Sequence, residues 1–132
     1  MPSADTTCLL RWLLDDVPAQ TRRVQALLDS GPGLYVADGV LIETVFVLER
    51  QARVGRDTVA LSIDAVLAEA SFDVDRELWH GILELYRAHP KLAVADIYFA
   101  LLARRQGRTP LYTFDRKMAA QLPDCAIPPE AG

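Results

Sequence analysis

Four acidic residues in this chain are candidates for binding a metal ion. Asp5, Glu43, Asp96 and Asp115 lie in stretches with few other polar side chains, and no Lys or Arg is within three positions of Glu43 or Asp96. An ionised carboxylate in an apolar interior is costly unless a positive charge compensates it. A divalent cation would compensate several acids together. Carboxylates without His or Cys ligands favour one or two Mg²⁺ or Mn²⁺ ions over structural zinc.

Such a cluster is suited to phosphodiester hydrolysis. One ion lowers the pKa of an attacking water, and a second ion about 4 Å away stabilises the leaving oxygen. We expect Asp5 and Asp96 to bind metal directly, Glu43 to bind directly or through water, and Asp115 to serve a second ion or only its hydration shell. Without metal the acids repel one another and some of their pKa values rise, so ion affinity should fall in acid.

Each acid also has a structural interpretation. Asp5, Asp96 and Asp115 can be helix N-caps, a role worth about 1 kcal/mol. Glu43 does not fit that role, because its neighbours at helical spacing include Val40, Phe46 and Val47. A helix that is apolar on all sides is typical of an interior, so the sequence predicts that Glu43 and Asp96 are buried.

Short apolar segments alternate with amphipathic ones. This alternation predicts an α/β sandwich with a mainly parallel sheet, whose ligand site lies at the carboxyl edges of the strands. Asp38 is predicted to cap the third helix, Gly55 to end it, and Asp115 to cap the last one. The predicted helices cover residues 6–14, 18–28, 39–53, 57–70, 75–89 and 94–105 and a segment after 115. The predicted strands cover residues 1–4, 34–37, 72–74 and 110–113.

Length and composition predict one cytoplasmic domain. The 132 residues suffice for one core, which we expect over residues 1–127, with a loose tail at 128–132. No apolar run approaches 18 residues, and no basic and apolar leader begins the chain, so we expect a soluble protein without a membrane segment. Cys8 and Cys125 are too few for a disulfide framework and are expected to be reduced.

The net charge of −4 argues against binding nucleic acid through overall positive charge. The basic residues are nevertheless grouped near Asp115. This group could contact phosphates, or it could be the solvated end of a helix. It comprises Arg104, Arg105, Arg108, Arg116 and Lys117.

Aromatic and histidine residues suggest no second site. The spacing of Trp12, Phe46, Trp79 and Tyr98 among aliphatic residues favours core or interface positions over a base-stacking surface. His80 and His89 are expected to have ordinary surface or helix-end roles.

Four segments together resemble the PIN-domain ribonucleases, and within them the VapC-type toxins of toxin–antitoxin pairs. The segments are residues 5–11 (DTTCLLR), 41–48 (LIETVFVL), 94–98 (VADIY) and 113–117 (TFDRK). The resemblance implies a three-layer α/β/α sandwich with a short, mainly parallel central sheet. It also implies that the four acids bind Mg²⁺ or Mn²⁺ and cleave RNA to leave a 5′-phosphate.

The resemblance also suggests supporting residues and partners. Thr6 and Thr113 would support the acids, and many family members have Asn where this chain has Thr7. Candidate RNA contacts are Arg11, Arg104, Arg108, Arg116 and Lys117. Expected partners are RNA, a VapB-type antitoxin whose C-terminal segment covers the acids, and a second copy in a homodimer. Which RNA is cut stays open.

Two other classes of function are alternatives. A PIN-like fold can act only as a binding or regulatory protein. A phosphoacceptor receiver domain is the other, but it would need an acidic pair after its first strand. Here Asp15 and Asp16 follow a predicted helix.

Overall fold

The computed structural model describes residues 1–131, in seven α-helices and four short β-strands. The chain divides into two compact units, Met1–Arg76 and Glu77–Gly132. Within residues 1–131, no helix is both long enough and apolar enough to cross a membrane. The prediction of a single domain over residues 1–127 stays a prediction. Residues 128–131 have no regular secondary structure, and Gly132, the end of the predicted tail, lies outside the described residues.

The first unit has four helices and two paired strands. Its elements are α1 (Thr6–Leu14), α2 (Pro18–Ser30), β1 (Leu34–Tyr35), α3 (Asp38–Arg50), α4 (Arg56–Ala68) and β2 (Phe72–Asp73). Strands β1 and β2 are parallel, with Leu34 opposite Phe72, and Ser3 forms a parallel bridge to Tyr35. The predicted strand at residues 1–4 is thus reduced to a single bridge.

Helices α1 and α2 are joined by side-chain hydrogen bonds. Trp12 Nε1 donates to Gln25 Oε1 at 2.9 Å, and Thr21 Oγ1 donates to the Arg11 carbonyl oxygen at 2.7 Å. The Trp12 ring also contacts the Phe72 ring edge-on, with centroids 5.1 Å apart. These contacts fix α1, and therefore Asp5 at its start, relative to α2 and β2.

The second unit contains the remaining elements. They are α5 (Arg76–Ala88), which begins at the last residue of the first unit, α6 (Val94–Arg105), β3 (Leu111–Tyr112), α7 (Arg116–Gln121) and β4 (Cys125–Ala126). The buried Trp79 ring of α5 stacks on Tyr98 of α6, with centroids 6.4 Å apart. Strands β3 and β4 are parallel, and Leu111 lies opposite Cys125.

The structure confirms a mixed α/β fold with short parallel strands. The predicted bounds of α1 and α6 agree with the structure, and those of α5 differ by one residue at each end. Both cysteines are free, as predicted.

Other details of the prediction were wrong. Ala37 is the N-cap of α3 and Asp38 is its first helical residue, so Asp38 does not cap the helix. Helix α3 ends at Arg50, because Arg53 adopts a left-handed backbone with φ of 54°. Gly55, expected to end α3, is the N-cap of α4. Strand β4 was not predicted.

Candidate metal and nucleic-acid site

Asp5 lies at the N-cap of α1. Its Oδ1 accepts a hydrogen bond from the Cys8 backbone N–H at 3.1 Å, and its side chain is exposed. The capping interpretation of Asp5 is therefore correct. It leaves the carboxylate accessible, so capping and metal binding are compatible at this position. The neighbouring Thr6 is buried and Thr7 is exposed.

Glu43 lies in the second turn of α3 and is exposed, so the prediction that it is buried was wrong. The buried side of α3 is formed by Leu41, Thr44, Val45 and Leu48. At 100° per residue, Glu43 lies on the opposite side of the helix. The apolar residues around it are only partly buried, because a domain of this size cannot cover every apolar face.

Asp96 is the third residue of α6 and is half-buried, while Val94 and Ile97 of the same helix turn are buried. Burial raises the pKa of the Asp96 carboxyl, and the negative charge of Asp115 raises it further. Asp96 does not cap α6, because Ala93 occupies the N-cap position. The prediction that Asp96 is buried is therefore confirmed only in part.

Asp115 is the N-cap of α7. Its Oδ1 accepts hydrogen bonds from the backbone N–H groups of Lys117 and Met118, at 3.0 and 3.1 Å. Thr113 Oγ1 in turn accepts from the Asp115 backbone N–H at 3.0 Å. The Thr113 hydroxyl therefore orders the residue that carries the acid. The exposed Asp115 side chain keeps its second oxygen free of these bonds.

Each unit contains two of the four acids: Asp5 and Glu43 lie in the first, and Asp96 and Asp115 in the second. The structure brings Asp96 and Asp115 within electrostatic range of each other. Within residues 1–131, no group of three or more His, Cys, Asp or Glu side chains is arranged to hold a metal ion. The convergence of all four acids stays a prediction.

The chemistry of the acids nevertheless fits a hard cation. Over residues 1–131, none of the four forms an ion pair with Lys, Arg or His. Their ligand atoms are carboxylate oxygens, which Mg²⁺ and Mn²⁺ prefer. A cation near Asp96 and Asp115 would offset the repulsion that raises the pKa of Asp96.

The candidate RNA-contact residues differ in their surroundings. Arg11 pairs with Asp16, with 2.7 Å between Nη1 and Oδ2, and Arg104 pairs with Asp124, with 2.6 Å between Nε and Oδ2. Arg108, Arg116 and Lys117 are exposed, and within residues 1–131 they form no ion pair. These last three side chains are therefore the cations most available to a phosphate.

The first unit has a cleft near Asp5 that is lined in part by basic side chains. Thr7, Cys8 and Arg11 of α1 and Arg23 of α2 line a cleft of about 280 Å³. Cys8 is also the residue whose N–H binds Asp5. The cleft therefore begins one helical turn from a candidate metal ligand.

Sequence reasoning missed two exposed aromatic residues next to Asp115. The side chain of Phe114 is 82% exposed and that of Tyr112 is 57% exposed. The four aromatic residues predicted to lie in the core or an interface are buried or half-buried, as expected: Trp12, Phe46, Trp79 and Tyr98. The missed signal was the position of two aromatic residues, Tyr112 and Phe114, within four residues of the cationic Arg116 and Lys117.

Comparison with known protein families shows that the chain matches the PIN domain. The model of the PIN domain matches residues 4–121, a range that includes all four acids. No curated protein matches the chain. No solved structure matches it either.

Proposed function

Because the chain belongs to the PIN-domain family, whose members are generally metal-dependent nucleases, we propose that it is a metal-dependent endoribonuclease. The observation that carries the proposal is that Asp96 and Asp115 lie close enough for their negative charges to interact. These two acids are electrostatically coupled, and within residues 1–131 neither forms an ion pair. The match to the PIN domain argues against the alternative that this chain is a phosphoacceptor receiver domain.

The residues fit defined roles in phosphodiester hydrolysis. When bound, Mg²⁺ or Mn²⁺ lowers the pKa of water and stabilises charge on phosphate oxygens. Asp5, Glu43, Asp96 and Asp115 would hold the ion or ions, and Thr113 keeps Asp115 oriented through its backbone N–H. Thr6, which follows Asp5, would support the first acid. Arg108, Arg116 and Lys117 would bind the phosphates on either side of the bond that is cut.

We propose further that the chain acts as a VapC-type toxin in the cytoplasm. Its resemblance to these toxins lies in the order and spacing of the four acidic segments. A VapB-type antitoxin would inhibit it by covering the acids and offering them a basic side chain. A homodimer is supported by exposed aliphatic side chains, since Leu27 of α2 and Leu61 of α4 are 51% and 64% exposed.

Cleavage of RNA by purified protein tests the nuclease proposal. Wild-type chain is compared with Asp5→Asn and Asp96→Asn in EDTA, Mg²⁺ and Mn²⁺, with structured transfer RNAs among the substrates. Glu84→Gln is the control, because it removes an exposed acid of α5 outside the four. We expect cleavage only by wild type and Glu84→Gln, and only with metal.

A folded wild-type protein that cuts no RNA with any metal would overturn the nuclease proposal. A binding or regulatory role would then be the better interpretation of the fold. The toxin role has its own readout: induced expression of wild type should arrest bacterial growth, whereas Asp96→Asn should not.

A further inference from the structure

Phe114 and Tyr112 form an exposed aromatic pair at the end of β3. Phe114 is the most exposed of the large hydrophobic residues described, at 82%, and Tyr112 is 57% exposed. Leu111 and Thr113, which alternate with them, are half-buried. Tyr112 is the last residue of β3, and Phe114 lies in the bend that follows it. The two exposed rings are only two residues apart, so one extended ligand can contact both.

The backbone that carries the pair is held in place. Thr113 donates its N–H to the Ala126 carbonyl oxygen at 3.0 Å, next to the β3–β4 pairing. Thr113 Oγ1 accepts from the Asp115 N–H, and Asp115 caps α7. The exposure of Phe114 is thus a property of an ordered turn between a strand and a helix.

The residues that follow are cationic and available. Arg116 and Lys117 are exposed, and within residues 1–131 they form no ion pair. Exposed aromatic rings next to free cations complement a ligand with flat apolar faces and a negatively charged backbone. Single-stranded nucleic acid has this combination, because its unpaired bases stack on aromatic side chains while Lys and Arg bind its phosphates.

We propose that Phe114, together with Tyr112, is a stacking surface for unpaired bases of an RNA substrate next to the bond that is cut. The inference rests on the proposed ribonuclease function and adds to it the side chains that contact the bases. Phe114 immediately precedes Asp115, so a base stacked on its ring places the adjoining phosphates near that acid. Bases within a duplex present no free face, so this contact should form only with single-stranded segments.

RNA binding is measured in an Asp96→Asn background, so that affinity is separated from cleavage. The probe is a fluorescently labelled single-stranded 12-mer, compared with the same sequence in a duplex. Phe114→Ala should weaken binding to the single strand by about 5- to 150-fold and change duplex binding little. Phe114→Leu should behave like Phe114→Ala, because it keeps apolar bulk and loses the ring.

Two further variants make the result specific to stacking. Phe114→Trp should keep the affinity, and the fluorescence of the new indole should be quenched when RNA is added. Leu14→Ala truncates the last side chain of α1, which is 39% exposed, and it should leave RNA binding unchanged. Because Phe114 is mostly exposed, its variants should unfold at the wild-type temperature.

The outcomes separate this inference from the nuclease proposal. If wild type cuts RNA and Phe114→Ala binds the 12-mer as tightly as its parent, stacking is overturned and the nuclease stands. If wild type cuts nothing but binding depends on Phe114, stacking stands and the nuclease falls. If the protein does not bind the single-stranded 12-mer at all, the inference is also overturned. The exposed aromatic residues would then be better explained as a contact for a protein partner.

Discussion

Asp96 of α6 and Asp115 at the start of α7 are coupled through their charges. Burial raises the pKa of the Asp96 carboxyl, and the Asp115 carboxylate raises it further. Within residues 1–131 neither acid forms an ion pair, so the cation proposed for this site would offset the repulsion between them.

Acidification should weaken divalent-ion binding from a higher pH than an ordinary aspartate would predict. Protons compete with the ion for Asp96, and its raised pKa makes that competition begin earlier. Isothermal titration with Mn²⁺ at several pH values measures the effect. Asp115→Asn removes the second cause of the shift, so the carboxyl carbon of Asp96 should then titrate at lower pH by NMR. An unchanged midpoint would contradict the coupling.

The same shift predicts how Asp96 affects stability without metal. Its pKa is higher in the folded chain than in the unfolded one, so the folded state binds the proton more tightly. The contribution of Asp96 to folding is therefore most favourable below the unfolded pKa and is lost as pH rises through the folded pKa. Asp96→Asn should raise the free energy of unfolding at pH 7, and the gain should vanish in acid. Urea denaturation in EDTA, at pH 7 and at a pH below the unfolded pKa of Asp, measures the difference in unfolding free energy between the two proteins.

Replacing Asp5 should separate its structural role from its metal-binding role. Asp5→Ala removes the acceptor for the Cys8 N–H and should cost about 1 kcal/mol of stability. Asp5→Asn keeps a good cap and should cost much less. Both variants should lose metal-dependent RNA cleavage, because neither carries the carboxylate. Chemical denaturation and cleavage assays on the same preparations measure the two effects, and activity in Asp5→Asn would exclude Asp5 as a ligand.

Glu43→Gln should change activity without changing the stability of the metal-free chain. The side chain is exposed and has no hydrogen-bond or ionic partner within residues 1–131, so we expect less than about 0.5 kcal/mol of change in unfolding free energy. RNA cleavage should fall if Glu43 holds an ion directly or through water. Added Mg²⁺ should then raise the melting temperature of wild type more than that of Glu43→Gln. If Mg²⁺ raised the melting temperature of both proteins equally, Glu43 would not be a ligand of the ion.

The basic residues near Asp115 should contribute unequally to RNA binding. If Arg116 and Lys117 each neutralise one phosphate of single-stranded RNA, replacing either by Ala should lower the slope of log affinity against log salt by roughly 0.7. Arg104→Ala is the comparison, because Arg104 is paired with Asp124 and its replacement should change the slope less. The salt dependence is measured in the Asp96→Asn background. A larger change in slope for Arg104→Ala than for Arg116→Ala or Lys117→Ala would contradict this prediction.

Local signals were sufficient where neighbouring residues decide the structure. Asp5 begins α1 as its sequence predicted, and α6 runs from Val94 to Arg105 because Gly107, with φ of 68°, follows its end. Asp115 caps α7 for the same local reason. These signals depend on hydrogen bonds within a few residues, and a sequence shows such residues directly.

Burial and strand pairing could not be predicted in this way. Glu43 is exposed although its helix is apolar all round, because burial depends on which face other elements cover. Strand β4 is only Cys125–Ala126 and exists through pairing with β3. The exposure of Phe114 was missed for the same reason, since a short strand with aromatic residues is equally consistent with a core position.

Helix capping at Asp5 and Asp115 also restricts motion. A carboxylate on an open surface samples several rotamers and loses that freedom when it binds a ligand. The hydrogen bonds from Cys8, Lys117 and Met118 already select a rotamer for these two acids. Less conformational entropy is therefore left for them to lose on ligand binding than for Glu43. If these two acids bind an ion as proposed, folding has already done most of the ordering at both positions.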